Sequence, residues 1–427
     1  MPDSEFDQSM PALFGGPQAK PLPYGSGRRF GDAEMNYLQE ALNQETLFYH
    51  TGHLTNRMLE RFKAIIRVPH AVAVSSGTAA IHVALGASGI SYGDEVIVPP
   101  ITDTGTVIGI LAQNAVPVFC DVDPDSLLIT PETVAEKLTA RTKAVIVVHL
   151  AGNPCEMDGF MKLAQKNHLV LIEDCAQAWG AQYHGKTVGS FGDFGCFSLN
   201  DFKHISCGDG GIVCTHYEYL YRMAHAFADK FYDRLNSGFR TPSAWLGFNY
   251  RITELQSAVA LAQLEQLEAV CSRRHELGMR LIQGISGIPG ILPHKLTPNS
   301  YPTFWFSGFR VAEKTAGVSP PQFVKTLRAE GVDAQPGYFS LLHCDLFLKR
   351  QGYRGTCFPF EFPDGRSYKY SPADCPQSEL ALNTLIRLPV HQFHTDEDID
   401  QTIQAVKKVA AFYRNPEIQA GTRKRPL

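Results

Sequence analysis

Apolar runs separated by amphipathic stretches dominate the first half of the chain, and their lengths predict alternating strands and helices. Several runs are apolar at nearly every position, as strands buried on both faces require. These runs are 70–74, 95–98, 116–123, 144–148 and 169–174. Their alternation with helical stretches predicts an α/β fold with a mainly parallel central sheet, covered by helices on both faces. In such a sheet, ligands bind beyond the carboxyl ends of the strands.

The hydrophobic pattern divides the chain into three segments. Residues 1–28 are rich in proline and glycine, which predicts an extended N-terminal arm. Residues 29–275 carry the strand–helix alternation and end in a long helix that begins near Leu255, which predicts a large α/β domain and a bridging helix. Residues 276–427 lose this alternation and predict a smaller α+β domain at the C-terminus.

The predicted C-terminal domain has its own landmarks. An aromatic run at 303–311 predicts a strand, and Ser319 followed by proline predicts a helix start. Thr395 precedes three acidic residues and an amphipathic pattern, which predicts a capped final helix. The stretch 352–375 has few periodic features and predicts either a lid on the substrate side or a surface insertion. The last residues, 422–427, predict a loose tail.

Composition narrows the function classes. Of the 427 residues, 44% are apolar and 19% are charged, which is ordinary for a globular protein with a large core. A net charge of −4 provides no electrostatic basis for binding nucleic acid or an anionic membrane. The acidic N-terminus does not resemble a secretory signal, and no apolar run approaches the roughly 18 residues of a membrane helix. The ten cysteines include no CxxC pair, which favours reduced packing residues over disulfides or a metal site. These features predict a cytoplasmic protein.

Three local patterns predict a pyridoxal phosphate site. Lys203 lies five residues after Ser198 and five before a Gly-Asp-Gly-Gly turn, an arrangement that suits a Schiff-base lysine. Asp174 ends a buried apolar strand and can pair with the ring nitrogen of the cofactor. Ser-Ser-Gly-Thr at 75–78 joins a strand to a helix, which points free N–H groups at a phosphate. Separately, each pattern also fits an ordinary surface lysine, core carboxylate or helix cap. No GxGxxG follows the first strand, so a dinucleotide site has little support.

These motifs resemble the DegT/DnrJ/EryC1/StrS family of sugar and cyclitol aminotransferases, from about residue 30 to residue 408. The resemblance is carried by 74–80, 93–99, 173–177, 197–203, 208–211 and 247–251. It implies the architecture of aspartate aminotransferase, which is fold type I of the pyridoxal phosphate enzymes.

The resemblance also implies roles for individual residues toward pyridoxal 5′-phosphate. Lys203 would bind the cofactor covalently and move the proton, Asp174 would pair with the ring nitrogen, and Gln177 would lie beside the ring. The phosphate would be held by Gly77, Thr78 and Ser198.

Other residues are implied to act between subunits or on substrate. Asn249 would reach the phosphate of a neighbouring subunit, so the active unit would be a homodimer with shared sites. Tyr250 and Arg251 are candidates for substrate contacts. The implied reaction is a ping-pong transamination from glutamate or glutamine to a keto group on a sugar, nucleotide-linked or not, or on a cyclitol. The sequence leaves a nucleotide-linked keto-hexose and a keto-inositol open.

Two features depart from the family pattern and keep alternatives open. Asp103 stands against the cofactor where the family commonly has an aromatic residue, and an aspartate cannot stack on the ring. Asp209 replaces a usual glutamate, a mild change. One alternative is a sugar dehydratase, although such relatives typically carry histidine in place of the lysine and here His204 only follows Lys203. The other alternative is a catalytically silent relative with a regulatory role, which Asp103 alone encourages.

Overall fold

A computed structural model describes residues 9–237, 245–353 and 356–415. The first eight residues of the predicted arm and the predicted tail at 422–427 lie outside these ranges. Within them, no helix combines the length and apolar character needed to cross a bilayer. The predicted cytoplasmic location stays a prediction.

The described residues form strands and helices that are numbered here in chain order. The strands are β1 His70–Val74, β2 Glu95–Val98, β3 Val116–Phe119, β4 Thr142–Val148, β5 Val170–Asp174, β6 Gln182–Tyr183, β7 Lys186–Thr187, β8 Phe194–Ser198, β9 Gly211–Thr215, β10 Ile291–Pro293, β11 Ser300–Tyr301, β12 Phe306–Val311, β13 Gln335–Pro336 and β14 Leu385–Pro389. The helices are α1 Asp32–Asn43, α2 Leu54–Ile66, α3 Gly77–Ala87, α4 Gly105–Ala112, α5 Pro131–Ala135, α6 Met157–Asn167, α7 Glu218–Ala228, α8 Arg234–Ser237, α9 Glu254–Ile285, α10 Glu313–Ala316, α11 Pro320–Ala329, α12 Asp345–Leu348, α13 Pro376–Thr384 and α14 Asp396–Arg414.

The central sheet has the strand order β1-β9-β8-β5-β4-β2-β3. Strands β3, β2, β4, β5 and β8 pair in parallel, and only β9 runs antiparallel to its neighbours β8 and β1. One apolar cluster joins the sheet to α3 and α4, and a second joins it to α2 and α9. Both faces of the sheet are therefore buried, which is why its strands are apolar at nearly every position. The predicted fold class is confirmed.

Helix α9 connects the two parts of the molecule. Thr253 caps its first turn, since its hydroxyl accepts from the backbone N–H of Gln256. Leu264 packs in the core of the central sheet, whereas Leu277 and Leu281 pack in a separate apolar cluster. The cluster that contains Leu277 and Leu281 lies between α11, α14 and an antiparallel sheet of order β10-β12-β14-β13. The boundaries predicted at residues 28 and 275 stay predictions.

The described residues of the stretch 352–375 lie against the edge of the central sheet, away from the carboxyl ends of the strands. Tyr370 donates its hydroxyl to the carbonyl of Pro117 in β3 at 2.9 Å. Tyr368 donates to the carboxylate of Glu95, the first residue of β2, at 2.8 Å. Because β3 is an edge strand of the sheet, these contacts cover an edge that would otherwise be open. Of the two predicted roles, the placement fits a surface insertion and not a substrate lid.

Candidate active site

Most of the predicted site residues meet in one cavity at the carboxyl ends of β1, β5 and β8. The cavity has a volume of about 320 Å³. Six of the residues predicted from the sequence line it: Gly77, Thr78, Asp103, Asp174, Ser198 and Lys203. Parallel strands place their carboxyl ends at the same edge of a sheet, and this brings together segments that are far apart in the chain.

The N-terminus of α3 forms one wall of the cavity. Ser76 caps the helix, and its hydroxyl accepts from the backbone N–H of Ala79 at 3.0 Å. The N–H groups of the first helical residues, Gly77 and Thr78, have no acceptor within the helix, and both residues line the cavity. A Cβ atom on Gly77 would lie 2.6 Å from the Cβ atom of Ser198, so only glycine allows the helix to approach β8 this closely. The result is an anion cradle of backbone N–H groups and a serine hydroxyl.

Asp174 lies at the bottom of the cavity and is 5% exposed. Its carboxylate accepts from the Thr106 hydroxyl at 2.8 Å and from the backbone N–H of Ala176 at 3.0 Å. Because the Thr106 proton is used in this bond, Thr102 must donate to Thr106, at 2.7 Å. Burial raises the pKa of Asp174, whereas the hydrogen bonds from Ala176 and Thr106 and the charge of Lys203 lower it.

Thr106 was not among the residues predicted from the sequence. Thr106 bonds to Asp174, which is 68 residues away in the chain, and no local pattern in the sequence reports that contact.

Lys203 extends into the cavity from an irregular segment between β8 and β9. Its Nζ lies 4.7 Å from the ring centroid of Trp305, a half-buried residue that the sequence did not single out. Burial lowers the pKa of Lys203, and the charges of Asp174 and Asp103 oppose this shift. The amine therefore has a larger unprotonated fraction at neutral pH than an exposed lysine, which suits a nucleophile.

Gln177 is buried next to the cavity wall rather than in it. Its Oε1 accepts from the backbone N–H of Ala151 at 2.9 Å, and its Nε2 donates to the hydroxyl of Tyr338 at 2.9 Å. Burial raises the pKa of Tyr338 to about 12, so this phenol keeps its proton. The predicted position of Gln177 beside a cofactor ring stays a prediction.

Asp103 lines the cavity mouth and is exposed. Its Oδ1 accepts from the backbone N–H of Gly105 at 2.8 Å, which turns the chain into α4. This side of the cavity thus presents a carboxylate where the family resemblance suggests a ring. Aromatic surface comes instead from Phe202, which lines the cavity, and from Trp305 beside Lys203.

Asn249, Tyr250 and Arg251 do not line this cavity within their own chain. Asn249 is exposed. The Tyr250 hydroxyl lies 2.9 Å from Nδ1 of His82, and Arg251 pairs with Asp229 at 3.1 Å. Their predicted roles toward a partner subunit or substrate stay predictions.

A buried polar group behind the cavity holds the Asp174 strand in place. The Glu173 carboxylate accepts from Nε2 of His149 at 3.1 Å. It also accepts from the backbone N–H groups of Gly189, Phe191 and Gly192 at 2.7, 2.7 and 2.8 Å. The other ring nitrogen of His149 accepts from the backbone N–H of Cys155 at 2.9 Å, so both imidazole nitrogens are occupied. His149, Glu173 and Cys175 lie close enough to hold a metal ion, but these bonds and a thiol pKa raised by burial favour a structural role.

Comparison with known proteins identifies relatives over nearly the whole chain. A model of the DegT/DnrJ/EryC1/StrS aminotransferase family matches residues 29–407. The spore coat polysaccharide biosynthesis protein SpsC of Bacillus subtilis strain 168 is 30% identical over 399 residues, covering 91% of this chain and 97% of that protein. GDP-perosamine synthase of Escherichia coli O157:H7 is 36% identical over 276 residues, covering 64% of this chain and 73% of that protein.

A solved structure supports the same assignment. The aminotransferase from Psychrobacter cryohalolentis superposes with a TM-score of 0.80 at 28% identity, covering 92% of this chain and 100% of that chain. The family and its structural neighbours imply pyridoxal phosphate as the cofactor. The fold type I architecture and the aminotransferase class that the motifs predict are confirmed. The chain belongs to the DegT/DnrJ/EryC1/StrS aminotransferase family.

Proposed function

We propose that this chain moves an amino group from glutamate or glutamine to a keto group on a sugar or cyclitol, with pyridoxal phosphate bound at Lys203. A nucleotide-linked sugar is the favoured acceptor. The name GDP-perosamine synthase refers to a GDP-linked compound, and SpsC is described as a polysaccharide biosynthesis protein.

One observation carries the proposal: a single cavity joins an amine, a carboxylate and an anion cradle. Pyridoxal phosphate has an aldehyde, a ring nitrogen and a phosphate, and each needs one of these partners. A side chain at position 77 would collide with Ser198 and its hydroxyl, so glycine at this position keeps the cradle open. The residues present therefore fit the cofactor.

The residues of the chain divide the work of transamination. Bound pyridoxal phosphate supplies the electron sink and carries the amino group between the two half-reactions. Asp174 keeps a proton on the ring nitrogen, because a buried carboxylate with two donors favours a cation beside it. The Lys203 amine would accept a proton from the substrate carbon and pass it to the C4′ carbon of the cofactor, which a lowered pKa permits. The α3 N-terminus and Ser198 orient the phosphate.

The structure bears on the dehydratase alternative through His204. This histidine is 1% exposed, and its Nε2 lies 3.1 Å from the carbonyl of Thr303. Lys203, rather than His204, lines the cavity, and this favours transamination over dehydration. The silent-relative alternative depends only on Asp103, and measured turnover separates it from an enzyme.

The proposed active unit is a homodimer in which Asn249 reaches the partner's cofactor phosphate. Asn249 is exposed and does not line the cavity of its own chain, and both facts suit a contact across an interface. Recovery of activity after mixing two inactive variants tests this arrangement.

Lys203→Ala is the first test of the proposed chemistry. Borohydride reduction of the protein loaded with pyridoxal phosphate, followed by peptide mass spectrometry, should find the label on Lys203. The alanine variant should carry no label and should lose transamination by several orders of magnitude, because no other group supplies the nucleophile. Lys349→Ala removes a lysine that is 58% exposed and serves as the matched control, with labelling and turnover unchanged.

Two results would contradict the assignment: a label on a different lysine, or normal turnover by Lys203→Ala. Loss of the visible cofactor absorbance on adding glutamate or glutamine identifies the donor. Crystals soaked with candidate amino-sugar products identify the acceptor.

A further inference from the structure

The segment that carries Lys203 has no regular secondary structure to fix it. Residues 200–206, in the connection between β8 and β9, form a series of turns, so their carbonyls have no partners in a helix or in a strand ladder. One local bond, from the N–H of Lys203 to the carbonyl of Asn200 at 3.0 Å, closes a turn. A catalytic side chain on such a segment can be precise only if other parts of the molecule hold the backbone.

Three consecutive carbonyls of this segment are held by side chains from distant parts of the chain. The two terminal guanidinium nitrogens of Arg29 donate to the carbonyls of Asp201 and Lys203. The indole Nε1 of Trp305 donates to the carbonyl of Phe202 at 2.7 Å. The peptide plane that follows Lys203 is therefore fixed by Arg29, and the plane that precedes Lys203 is fixed by Trp305. Arg29 also fixes the plane one residue earlier, through the Asp201 carbonyl.

Helix α9 and the N-terminal arm both fix the position of Arg29. Its side chain is 19% exposed, and Gln263 of α9 donates to its backbone carbonyl at 3.2 Å. The arm that leads to it is anchored on α14, where the buried Lys20 pairs with Asp398 at 2.6 Å. Gly25 also donates its N–H to Asp398 at 2.9 Å. The guanidinium therefore reaches the lysine segment from a backbone that cannot easily move away.

We propose that Arg29 is a positioning residue for Lys203, whose planar fork fixes the backbone that presents the amine to the cofactor. The proposal rests on the proposed function, since Lys203 acts there as the cofactor lysine. Without the fork, the Asp201 and Lys203 carbonyls would turn to water and the segment would sample other conformations. The amine would then spend less time in its buried position, where burial lowers its pKa.

The test compares Arg29→Ala and Arg29→Lys with Arg28→Ala. Arg28 is the exposed neighbour of Arg29 and serves as the matched control. Lysine keeps the positive charge but lacks the planar fork, so the second variant separates charge from geometry. The first readout is the pH at which the loaded protein changes its visible absorbance. The second is the rate at which pyridoxal phosphate becomes trapped on Lys203 by borohydride.

Both Arg29 variants should form the trapped product about tenfold more slowly at neutral pH, the scale expected when a reacting group is misplaced by a fraction of an ångström. Their absorbance midpoint should move to higher pH, because the Lys203 nitrogen that is bonded to the cofactor in the loaded protein would be more exposed to water and hold its proton more tightly. Asp174, Asp103 and Asp209 line the cavity with Lys203, Asp201 lies 3.9 Å from Arg29, and the adjacent His204 is buried. Arg29→Lys keeps the positive charge beside these groups, so a shift shared by both variants does not come from loss of that charge. Arg28→Ala should match the natural protein.

Hydrogen–deuterium exchange of the peptide 199–206 in cofactor-free protein separates this proposal from the proposed function. Faster exchange in both Arg29 variants supports the fork, even if no cofactor binds at Lys203. Unchanged exchange in them overturns the proposal, as does recovery of natural trapping by Arg29→Lys. Absence of any label on Lys203 in the natural protein would instead refute the proposed function.

Discussion

At the scale of single residues, the site depends on a buried carboxylate that has to stay ionised. Burial raises the pKa of Asp174, and hydrogen bonds from Thr106 and Ala176 work in the opposite direction. The Ala176 bond comes from the backbone, so truncating a side chain does not remove it. The Thr106 bond comes from a side chain, and Thr102 strengthens it by donating to the same hydroxyl.

Thr106→Val should weaken binding of pyridoxal phosphate about tenfold, since a hydrogen bond to a charged group contributes about 1.5–3 kcal/mol. Losing this donor raises the pKa of Asp174 further, so less of the carboxylate is ionised when the ring nitrogen arrives. Equilibrium dialysis measures the change in the dissociation constant. Thr104→Val makes the same substitution two residues away, where the side chain provides no helix cap, and should bind normally. Equal affinity in both variants would show that the bond is unimportant.

At the scale of elements, the arm between residues 9 and 28 is attached to the C-terminal part of the chain. Phe14 stacks on Phe412 of α14 at a centroid distance of 4.7 Å. Lys20 is 1% exposed and pairs with Asp398, in the first turn of α14. Asp398 also accepts from the N–H groups of Gly25 and Thr395. A buried ammonium with a single carboxylate partner makes this junction sensitive to change.

Asp398→Asn should lower the free energy of unfolding by about 3 kcal/mol, because it leaves the Lys20 charge buried without a counter-charge. Burial raises the pKa of Asp398, but the hydrogen bonds from Lys20, Thr395 and Gly25 together lower it by more, so the pKa lies well below its usual range in the folded protein. The carboxylate therefore stabilises the fold fully above its unfolded pKa of about 4, and this stabilisation is lost as pH falls toward the folded pKa.

Denaturant unfolding across that pH range measures both effects. The natural protein should lose stability on acidification more steeply than Asp398→Asn. Asp400→Asn, on the same helix, removes half of an exposed pair with Arg280 and should change little. Identical pH profiles for the natural protein and Asp398→Asn would contradict the role assigned to this carboxylate.

At the scale of the whole molecule, all the residues that line the cavity belong to one chain, and two of the residues considered for the site are exposed to solvent. Phe202 lines the cavity and is 77% exposed. Exposed apolar surface at a binding site often marks a contact with another molecule. Asn249 is exposed as well. A second copy of the chain that supplies Asn249 would cover part of this surface.

Mixing Asn249→Ala chains with Lys203→Ala chains should restore activity to heterodimers that are isolated with two different tags. Each parent protein should be weak or inactive. In the mixed dimer, one site combines an intact Lys203 with an intact Asn249 from the partner, so about half of the natural activity per dimer should return. No recovery would show that Asn249 acts within its own chain or not at all.

The predicted residues that the structure brings together in the cavity are those whose placement depends on local structure. Gly77 was predictable because the strand–turn–helix junction that needs it lies within a few residues. Asp174 was predictable because it ends an apolar strand. The residues that were missed act across long stretches of chain, as Arg29 does on the carbonyl of Lys203, 174 residues away. Trp305 and Thr106 were missed for the same reason, because hydrophobic periodicity does not report which elements meet.

The sequence by itself determined the parallel sheet, the amine, the carboxylate and the anion cradle, because strand periodicity and short motifs express local backbone preferences. Only the tertiary structure decided that Thr106 bonds to Asp174, that the stretch 352–375 covers the sheet edge, and that Arg29 holds the segment of Lys203. These contacts depend on which surfaces pack together, and packing is settled by burial over the whole chain rather than by any single stretch.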